Sequence, residues 1–312
     1  MSRYIVQRLL QLAAVLLGIS FLTFLLTYLS PGDPARLMLM STGVTPSEEL
    51  VAQVRTELGL DEPFLVRYGS WVLHALTGDF GMSYKYGYPV TEVLLSRMPA
   101  TLELAGAALL LVVLISFPLG MTAAKQPNRA KDYFIRVFSF AGLSMPSFWL
   151  GLLLMLLFAV RLQLLPVMGR SGVRSLILPA CTLAVPLIAQ YSGQIRTVLL
   201  EEMSQDYVIG ARARGVREGT VMLRYVLPNA LLPLMTLLGM SAGALLGGAA
   251  IIESVFGWPG VGQLALEAII ARDYPLIQGY VIWMAVIYVS INLVVDVWTH
   301  IRDPRLRLGE DV

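Results

Sequence analysis

The chain has 312 residues, of which only 14% are charged and 56% are hydrophobic, and its net charge is +2. Soluble globular domains carry roughly 25% charged residues, so this composition favours an integral membrane protein. The small net charge indicates no particular partner, and no nucleic-acid partner is predicted. The single cysteine, Cys181, excludes a disulfide framework and a cysteine-rich metal site within the chain.

Six segments of the chain are free of charged residues and long enough to cross a membrane. A spanning helix needs about 20 mostly apolar residues, and each of these segments has at least 21. They cover residues 9–32, 104–124, 137–160, 175–195, 225–252 and 274–295. Continuous leucine-rich segments favour helices, whose backbone hydrogen bonds close internally. The sequence therefore predicts an all-α integral membrane protein with six transmembrane helices.

The distribution of lysine and arginine predicts the orientation. The first apolar segment is too long for a cleavable signal peptide and no A-x-A-like site follows it, so we interpret it as a retained anchor. Six helices place both termini on one side, and that side carries 14 of the 23 lysines and arginines. Because basic loops stay in the cytoplasm, both termini are expected to be cytoplasmic.

Three regions are expected along the chain. Residues 1–32 form the N-terminal tail and first span, residues 33–99 form an external helical insertion, and residues 100–312 form a core of five further spans. Within the insertion, Ser47 followed by Glu48 and Glu49 predicts a helix start, and a second short helix is predicted over 63–76. A turn on the outer surface is predicted at Gly78, Asp79, Phe80 and Gly81.

Prolines and glycines mark special positions in the predicted spans. Spanning prolines free backbone carbonyls and predict kinks, and they lie at Pro118, Pro146, Pro179 and Pro186. Glycines four residues apart leave a smooth helix face where another backbone can approach. The fifth span has such a face, which predicts helix packing within the chain or against a second subunit, at Gly239, Gly243 and Gly247.

The loop between the fourth and fifth spans, residues 201–228, is unusually rich in charged residues, with four arginines and four acidic residues. Ser204 is a candidate N-cap, a short helix is predicted over 207–214, and Gly215 is expected to end it. A second helix from about Glu218 is expected to continue into the fifth span. Small residues alternate with arginines in the first helix, so we expect a compact surface with ionic anchors that meets a partner.

This loop resembles the "EAA" loop of ATP-binding-cassette (ABC) importer permeases. Gly215 is followed, after nine residues, by Tyr225-Val226-Leu227-Pro228, while Ile209-Gly210-Ala211 stands in place of Glu-Ala-Ala. The peptide and nickel branch of these permeases is matched at Asp206-Tyr207-Val208, Ala211-Arg212-Ala213 and Gly215. Segments along nearly the whole chain, including "RMPATLELAGAA", "SMPSFWLG" and "IIESVFGWPGVGQL", are similar in the same order, and the chain most resembles nickel permeases of the B type.

The resemblance implies a multi-pass permease subunit in the bacterial inner membrane, in contact with membrane lipid. Its implied partners are a second permease subunit, two ABC ATPase subunits and an extracytoplasmic solute-binding protein, which the turn at residues 78–81 would face. No cofactor is expected on this chain, because ATP and Mg would be used by the ATPase and no G-x-x-x-x-G-K-[ST] motif occurs here. The residues implied in ATPase coupling are Asp206, Tyr207, Ala211, Arg212, Ala213, Arg214, Gly215, Leu227 and Pro228.

The resemblance implies import of nickel or a metal chelate, with di- or oligopeptides, including glutathione, as the alternative substrates. No metal site is predicted, because His74 and His300 are expected on opposite sides of the membrane. Glu103 and Asp296 lie at the edges of spans, where they either contact substrate or cap helices. A secondary transporter and a membrane-embedded enzyme are less favoured, because neither internal repeats nor convergent catalytic groups are found.

Overall fold

The computed structural model describes residues 2–41 and 46–302. Within these ranges the regular structure is helical, apart from one antiparallel bridge between Met82 and Pro89. The first helices are α1 (Ser2–Leu29), α2 (Pro34–Ser41), α3 (Glu48–Glu57), α4 (Phe64–Leu76), α5 (Val90–Lys125), α6 (Ala130–Ser144) and α7 (Ser147–Leu154), which continues as a π-helix (Met155–Arg161). The later helices are α8 (Val173–Met203), α9 (Asp206–Ala213), α10 (Glu218–Thr220) with a π-helix (Val221–Val226), α11 (Leu227–Gly248), α12 (Ala250–Phe256), α13 (Val261–Ala271) and α14 (Tyr274–Arg302).

Four of the described helices are long and apolar enough to cross a membrane by themselves, namely α1, α5, α8 and α14. Three bent helix pairs raise the count to as many as seven: α6 with α7, the helices from α10 through α11, and α12 with α13. The all-helical, multi-pass character is as predicted. The number of spans agrees with six only if two of the three bent pairs cross the membrane.

The predicted third span, residues 137–160, is not one straight helix. The chain bends by 104° between the segments Ala130–Ser144 and Ser147–Arg161. Pro146 lacks an N–H and restricts the preceding residue, and Met145 accordingly adopts an extended conformation with φ −95° and ψ 129°. In contrast, α8 continues through both Pro179 and Pro186.

One compact unit consists of Met1–Thr101 and Pro259–Val289. Both helices predicted in the external insertion are present, as α3 and α4, and the Ser47 hydroxyl accepts a hydrogen bond from the Leu50 N–H at 3.3 Å. The core of this unit joins the segment before α5 and the start of α5 to α13 and α14. Its buried side chains are Phe80, Val90, Val93, Leu94, Leu264, Ala268 and Leu276.

The second unit consists of Leu102–Trp258 and Ser290–Val312. Helix α8 is its centre, packed against α6, α7 and α11. Glycines on α5 and on α6 make close approaches to α8 possible. A Cβ at Gly120 would lie 2.6 Å from the Ile195 Cβ, and one at Gly142 would lie 2.6 Å from the Ala189 Cβ.

Candidate functional site: the coupling segment between α8 and α11

The coupling segment, residues 201–228, folds as a helix, a glycine turn and a helix. Gly215 has φ +77°, a conformation that favours glycine, and its N–H donates to the Arg212 carbonyl at 2.9 Å. Ser204 is not the N-cap of α9. It follows α8 as the C-cap, and its hydroxyl donates to the Glu201 carbonyl at 2.7 Å.

Tyr207 joins α9 to the start of α11. Its hydroxyl donates to the Glu202 carboxylate and, at 3.3 Å, to the Tyr225 carbonyl, and it accepts from Asn229 Nδ2 at 3.0 Å. Burial and the adjacent Glu202 carboxylate raise the pKa of the Tyr207 phenol. Asn229 directly follows Leu227 and Pro228 in the first turn of α11, so its hydrogen bond with Tyr207 links α9 to that helix.

The Arg212 side chain stabilises the turn through hydrogen bonds within the segment. Its Nε and Nη2 donate to the Glu218 carboxylate at 2.8 and 3.3 Å, and its Nη1 donates to the Met203 carbonyl at 3.4 Å. Arg212 was expected to be an outward ionic anchor, but three of its five N–H donors are used within the segment. The guanidinium instead holds the end of α8 and the start of α10 together around Gly215.

The outward surface of α9 is smaller than the sequence suggested. Ala211 is fully buried, so its small side chain serves packing within the chain and does not form part of that surface. Ile209 is 54% exposed, an unusual position for an isoleucine in a charged loop. The exposed residues of α9 and its C-cap, which we call the α9 face, are Asp206, Tyr207, Ile209, Ala213 and Arg214.

A buried carboxylate at the N-terminal end of α6 was missed by the sequence analysis. Asp132 is fully buried, and its two oxygens accept from Arg196 Nε at 2.5 Å and Arg196 Nη2 at 2.9 Å. The Asn128 N–H donates to the same carboxylate at 2.8 Å, and Arg136 lies 3.5 Å away. Arg196 is on α8, about one and a half turns before the coupling segment, so the pair fixes α6 to the helix that carries α9.

The glycine face predicted on α11 packs within the chain at its first position. A Cβ at Gly239 would lie 2.1 Å from Val295 Cγ2 on α14, whereas one at Gly247 would meet nothing within 4 Å. Gly243 is buried. The Tyr191 hydroxyl on α8 donates to the Leu237 carbonyl at 2.6 Å, which is a polar contact between α8 and α11.

Gly239→Ala is expected to destabilise the folded protein by about 1–3 kcal/mol, because the added methyl group overpacks the contact with Val295. Gly247→Ala is the matched control on the same helix, and its free energy of unfolding should be unchanged or slightly higher. Thermal unfolding of the detergent-solubilised variants measures both. Equal midpoints for the two variants would contradict the close approach of α11 to α14.

The turn predicted at residues 78–81 contains one residue that cannot face a partner. Phe80 is only 8% exposed and belongs to the hydrophobic core of its unit. Its buried ring therefore anchors the turn to that core. Gly78, Asp79 and Gly81 are exposed, and Asp79 Oδ1 accepts from the Gly81 N–H at 2.9 Å.

A second buried carboxylate holds the segment after this turn. Asp273 is fully buried and accepts from Ser83 Oγ at 2.5 Å and from the Lys85 N–H at 3.1 Å. Lys85 Nζ donates to the Glu267 carboxylate on α13 at 2.6 Å. The sequence analysis recognised "GDFGMSY" and "ARDYPLIQG" as separate segments, and only the structure brings Ser83 and Asp273 together.

The remaining candidate residues do not converge on one site. Glu103 pairs with Arg170 at 2.7 Å, and Asp296 also has an interaction partner. His74 is exposed, and the side chain of His300 lies outside the described residues. Within the described part of the chain, no group of three His, Cys, Asp or Glu residues is placed to hold a metal ion.

Comparisons with known proteins cover both ends of the chain. Residues 116–308 match the family described as "Binding-protein-dependent transport system inner membrane component", and residues 1–105 match the N-terminal component of such systems. The chain belongs to this family. It is therefore a permease subunit of an ABC importer and a multi-pass protein of the inner membrane, as the sequence resemblance implied.

Two relatives match the permease chain over nearly its whole length. The "Probable D,D-dipeptide transport system permease protein" of Escherichia coli is 40% identical, with 97% of each chain covered. The "Glutathione transport system permease protein" of Salmonella paratyphi A is 39% identical, with 98% of this chain and 99% of the relative covered. These relatives are transport components, and the permease chain is likewise not an enzyme by itself.

Solved structures share the fold of the permease chain at low sequence identity. The MetNI methionine ABC transporter aligns with a TM-score of 0.55 at 16% identity, covering 67% of this chain and 95% of that one. An amino acid ABC transporter aligns with a TM-score of 0.51 at 17% identity, covering 69% and 94%. Both alignments support the helical permease fold.

Proposed function

We propose that this chain forms half of the translocation path of an ATP-driven importer for small peptides, glutathione included. The observation that carries the substrate class is the similarity, over 97–98% of the chain, to permeases named for a dipeptide and for glutathione. The interpretation as a nickel permease has no support in the names of these relatives. The alternative substrate class from the sequence analysis is therefore the favoured one.

The proposed coupling to an ATPase rests on the α9 face. This helix carries the exposed Ile209 and ends at the exposed C-cap residue Arg214, and the contacts of Tyr207 and Arg212 keep the segment rigid. A rigid helix with an apolar centre and a charged rim suits docking into a groove of a partner protein. Movement of an ATPase that holds α9 would then reach α11 through Tyr207 and Asn229.

The partners proposed for the permease chain are a second permease subunit, two ATPase subunits and a solute-binding protein. The contact proposed for the solute-binding protein includes Gly78, Asp79 and Gly81, which are exposed on a turn anchored by the buried Phe80. An anchored turn keeps its shape on contact, so little conformational entropy is lost when a partner binds.

Uptake in membrane vesicles tests the substrate class. Vesicles that contain the permease chain with its partner permease, ATPases and solute-binding protein are expected to accumulate a radiolabelled dipeptide or glutathione only when ATP is supplied. Nickel, free or chelated, serves as the competing substrate. Accumulation of nickel without accumulation of peptide would contradict the proposed substrate class.

Uptake without the partner proteins tests the class of transporter. Liposomes that contain the permease chain alone are expected to accumulate none of these substrates, because no nucleotide-binding motif is present in its sequence. Accumulation by the permease chain alone would overturn the proposed dependence on partner ATPases.

A further inference from the structure

Helix α4, in the insertion predicted to be external, has three distinct faces. Phe64, Tyr68 and Trp71 form an aromatic face, which contacts α1. Arg67, Ser70 and His74 form a polar face, which lines a cavity of about 660 Å³. The third face is apolar and exposed, and it consists of Leu65, Gly69, Leu73 and Leu76.

The aromatic face packs against the membrane-spanning helix α1. The Phe64 ring lies 5.0 Å from that of Tyr28, and the Tyr68 ring lies 5.4 Å from that of Phe21 and 5.6 Å from that of Phe24. Aromatic pairs at such distances contribute about 0.5–1.5 kcal/mol each beyond area burial. Several such contacts hold α4 firmly on this side of α1.

Hydrogen bonds from Tyr68 show how far along α1 this contact extends. The Tyr68 hydroxyl lies 2.8 Å from Ser20 Oγ and donates to the Leu17 carbonyl at 3.3 Å. Leu17 precedes the end of α1 at Leu29 by twelve residues, which is about 18 Å along a helix. Because the hydrocarbon core of a bilayer is about 30 Å thick, Tyr68 reaches α1 near the middle of its apolar length.

The exposed face of α4 has the composition of a lipid-facing surface. Leu65, Leu73 and Leu76 are 70%, 67% and 80% exposed, and no charged side chain separates them. On the helix they lie roughly opposite the polar face that lines the cavity. Exposure of this much leucine to water is unfavourable by about 25 cal/mol per Å² of apolar surface.

We propose that α4 lies within the bilayer, with Leu65, Leu73 and Leu76 in contact with lipid acyl chains. A helix with one polar and one apolar face is stable in this position, because the apolar face replaces contact with water by contact with lipid. Arg67 lies 5.4 Å from the Tyr28 ring, near the Leu29 end of α1, so its guanidinium stays close to the headgroup level while its stem is buried.

Lipid is favoured over a protein partner by the continuity with α1. The span itself exposes Leu22, Leu26 and Leu29, at 58%, 69% and 67%. Helix α4 contacts this same segment of α1, so it occupies the depth at which the exposed leucines of α1 meet lipid. A water-exposed position for α4 would require water to reach the depth of Leu17.

Fluorescence quenching in vesicles tests this position. The protein is the permease chain assembled with its partner permease and ATPases, with Cys181→Ser as the background. Bimane is attached to a single cysteine introduced by Leu65→Cys or Leu73→Cys. Ala52→Cys is the matched control, because Ala52 is exposed on the polar helix α3 of the same insertion.

Bimane at positions 65 and 73 is expected to be quenched strongly by phosphatidylcholine with a nitroxide on the acyl chain, and only weakly by iodide in the buffer. The opposite order is expected at position 52. Strong iodide quenching at 65 and 73 would overturn the proposal, and weak quenching by both agents would overturn it in favour of a protein contact. The measurement needs no transport, so it is independent of the proposed substrate and of ATPase coupling.

Discussion

Asp132→Asn is expected to lower the stability of the folded permease chain by about 3 kcal/mol, because removal of one partner of a buried ion pair leaves the other charge uncompensated. Arg196 would keep its guanidinium, only 18% exposed, against a neutral amide whose N–H groups cannot accept its hydrogen bonds. The expected loss of stability is at the lower end of the usual range for a buried ion pair. Arg136 also pairs with Asp132, but its side chain is 42% exposed, so water can hydrate it when the carboxylate is neutralised. Thermal unfolding of the detergent-solubilised protein measures the loss.

Glu218→Gln is the matched control for this substitution. It neutralises the acceptor of the Arg212 pair, but Glu218 is 69% exposed, so its loss should cost less than about 1 kcal/mol. The double variant Asp132→Asn/Arg196→Gln should recover part of the lost stability, because it removes the uncompensated charge. Equal unfolding midpoints for Asp132→Asn and Glu218→Gln would contradict the buried position of the Asp132 pair.

Ile209→Asp is expected to reduce ATP-driven uptake strongly while leaving the unfolding midpoint unchanged. Ile209 is 54% exposed, so an aspartate there creates no buried charge within the chain. In the proposed docking contact it would place an unpaired carboxylate in the apolar centre. Loss of a central interface residue costs about 2 kcal/mol or more, which corresponds to roughly 30-fold weaker binding. ATPase retained on purified permease, and uptake in vesicles, measure the effect.

Charge reversal supplies the control for the α9 face. Arg214→Glu is expected to weaken ATPase binding in a salt-dependent way, because Arg214 is exposed at the rim of the proposed contact. Lys125→Glu reverses another exposed cation, at the end of α5 and outside the α9 face, and this variant should bind ATPase normally. Normal uptake by both Ile209→Asp and Arg214→Glu would remove the α9 face from the coupling mechanism.

The sequence was most informative where the signal is local. Charge-free segments predicted the membrane helices, Ser47 with Glu48 predicted the start of α3, and Gly215 predicted the end of α9. Each of these depends on neighbours within a few residues, on helix capping or on a positive φ. The ordered motifs of the coupling loop also identified the permease family correctly. The finer choice of nickel as substrate was not supported by the relatives.

The sequence interpretation was incomplete where side-chain packing and pairing decide the outcome. Arg212 was assigned to an outward surface, but Glu218 and the Met203 carbonyl take up its donors. Phe80 was placed on a partner-facing turn, but α13 and α14 provide an apolar core that buries it. Exposure of a side chain depends on what packs against it, and a motif does not contain that information.

By itself, the sequence determined the membrane class, the helical content and the family of this protein, because apolar length and motif order are properties of the linear chain. Only the tertiary structure decided which charges are buried and which faces remain free. Asp132 meets Arg196 across 64 positions, and Tyr68 meets Ser20 across 48. Such contacts have no local signature, because they form only when separate helices pack and exclude water from the groups between them.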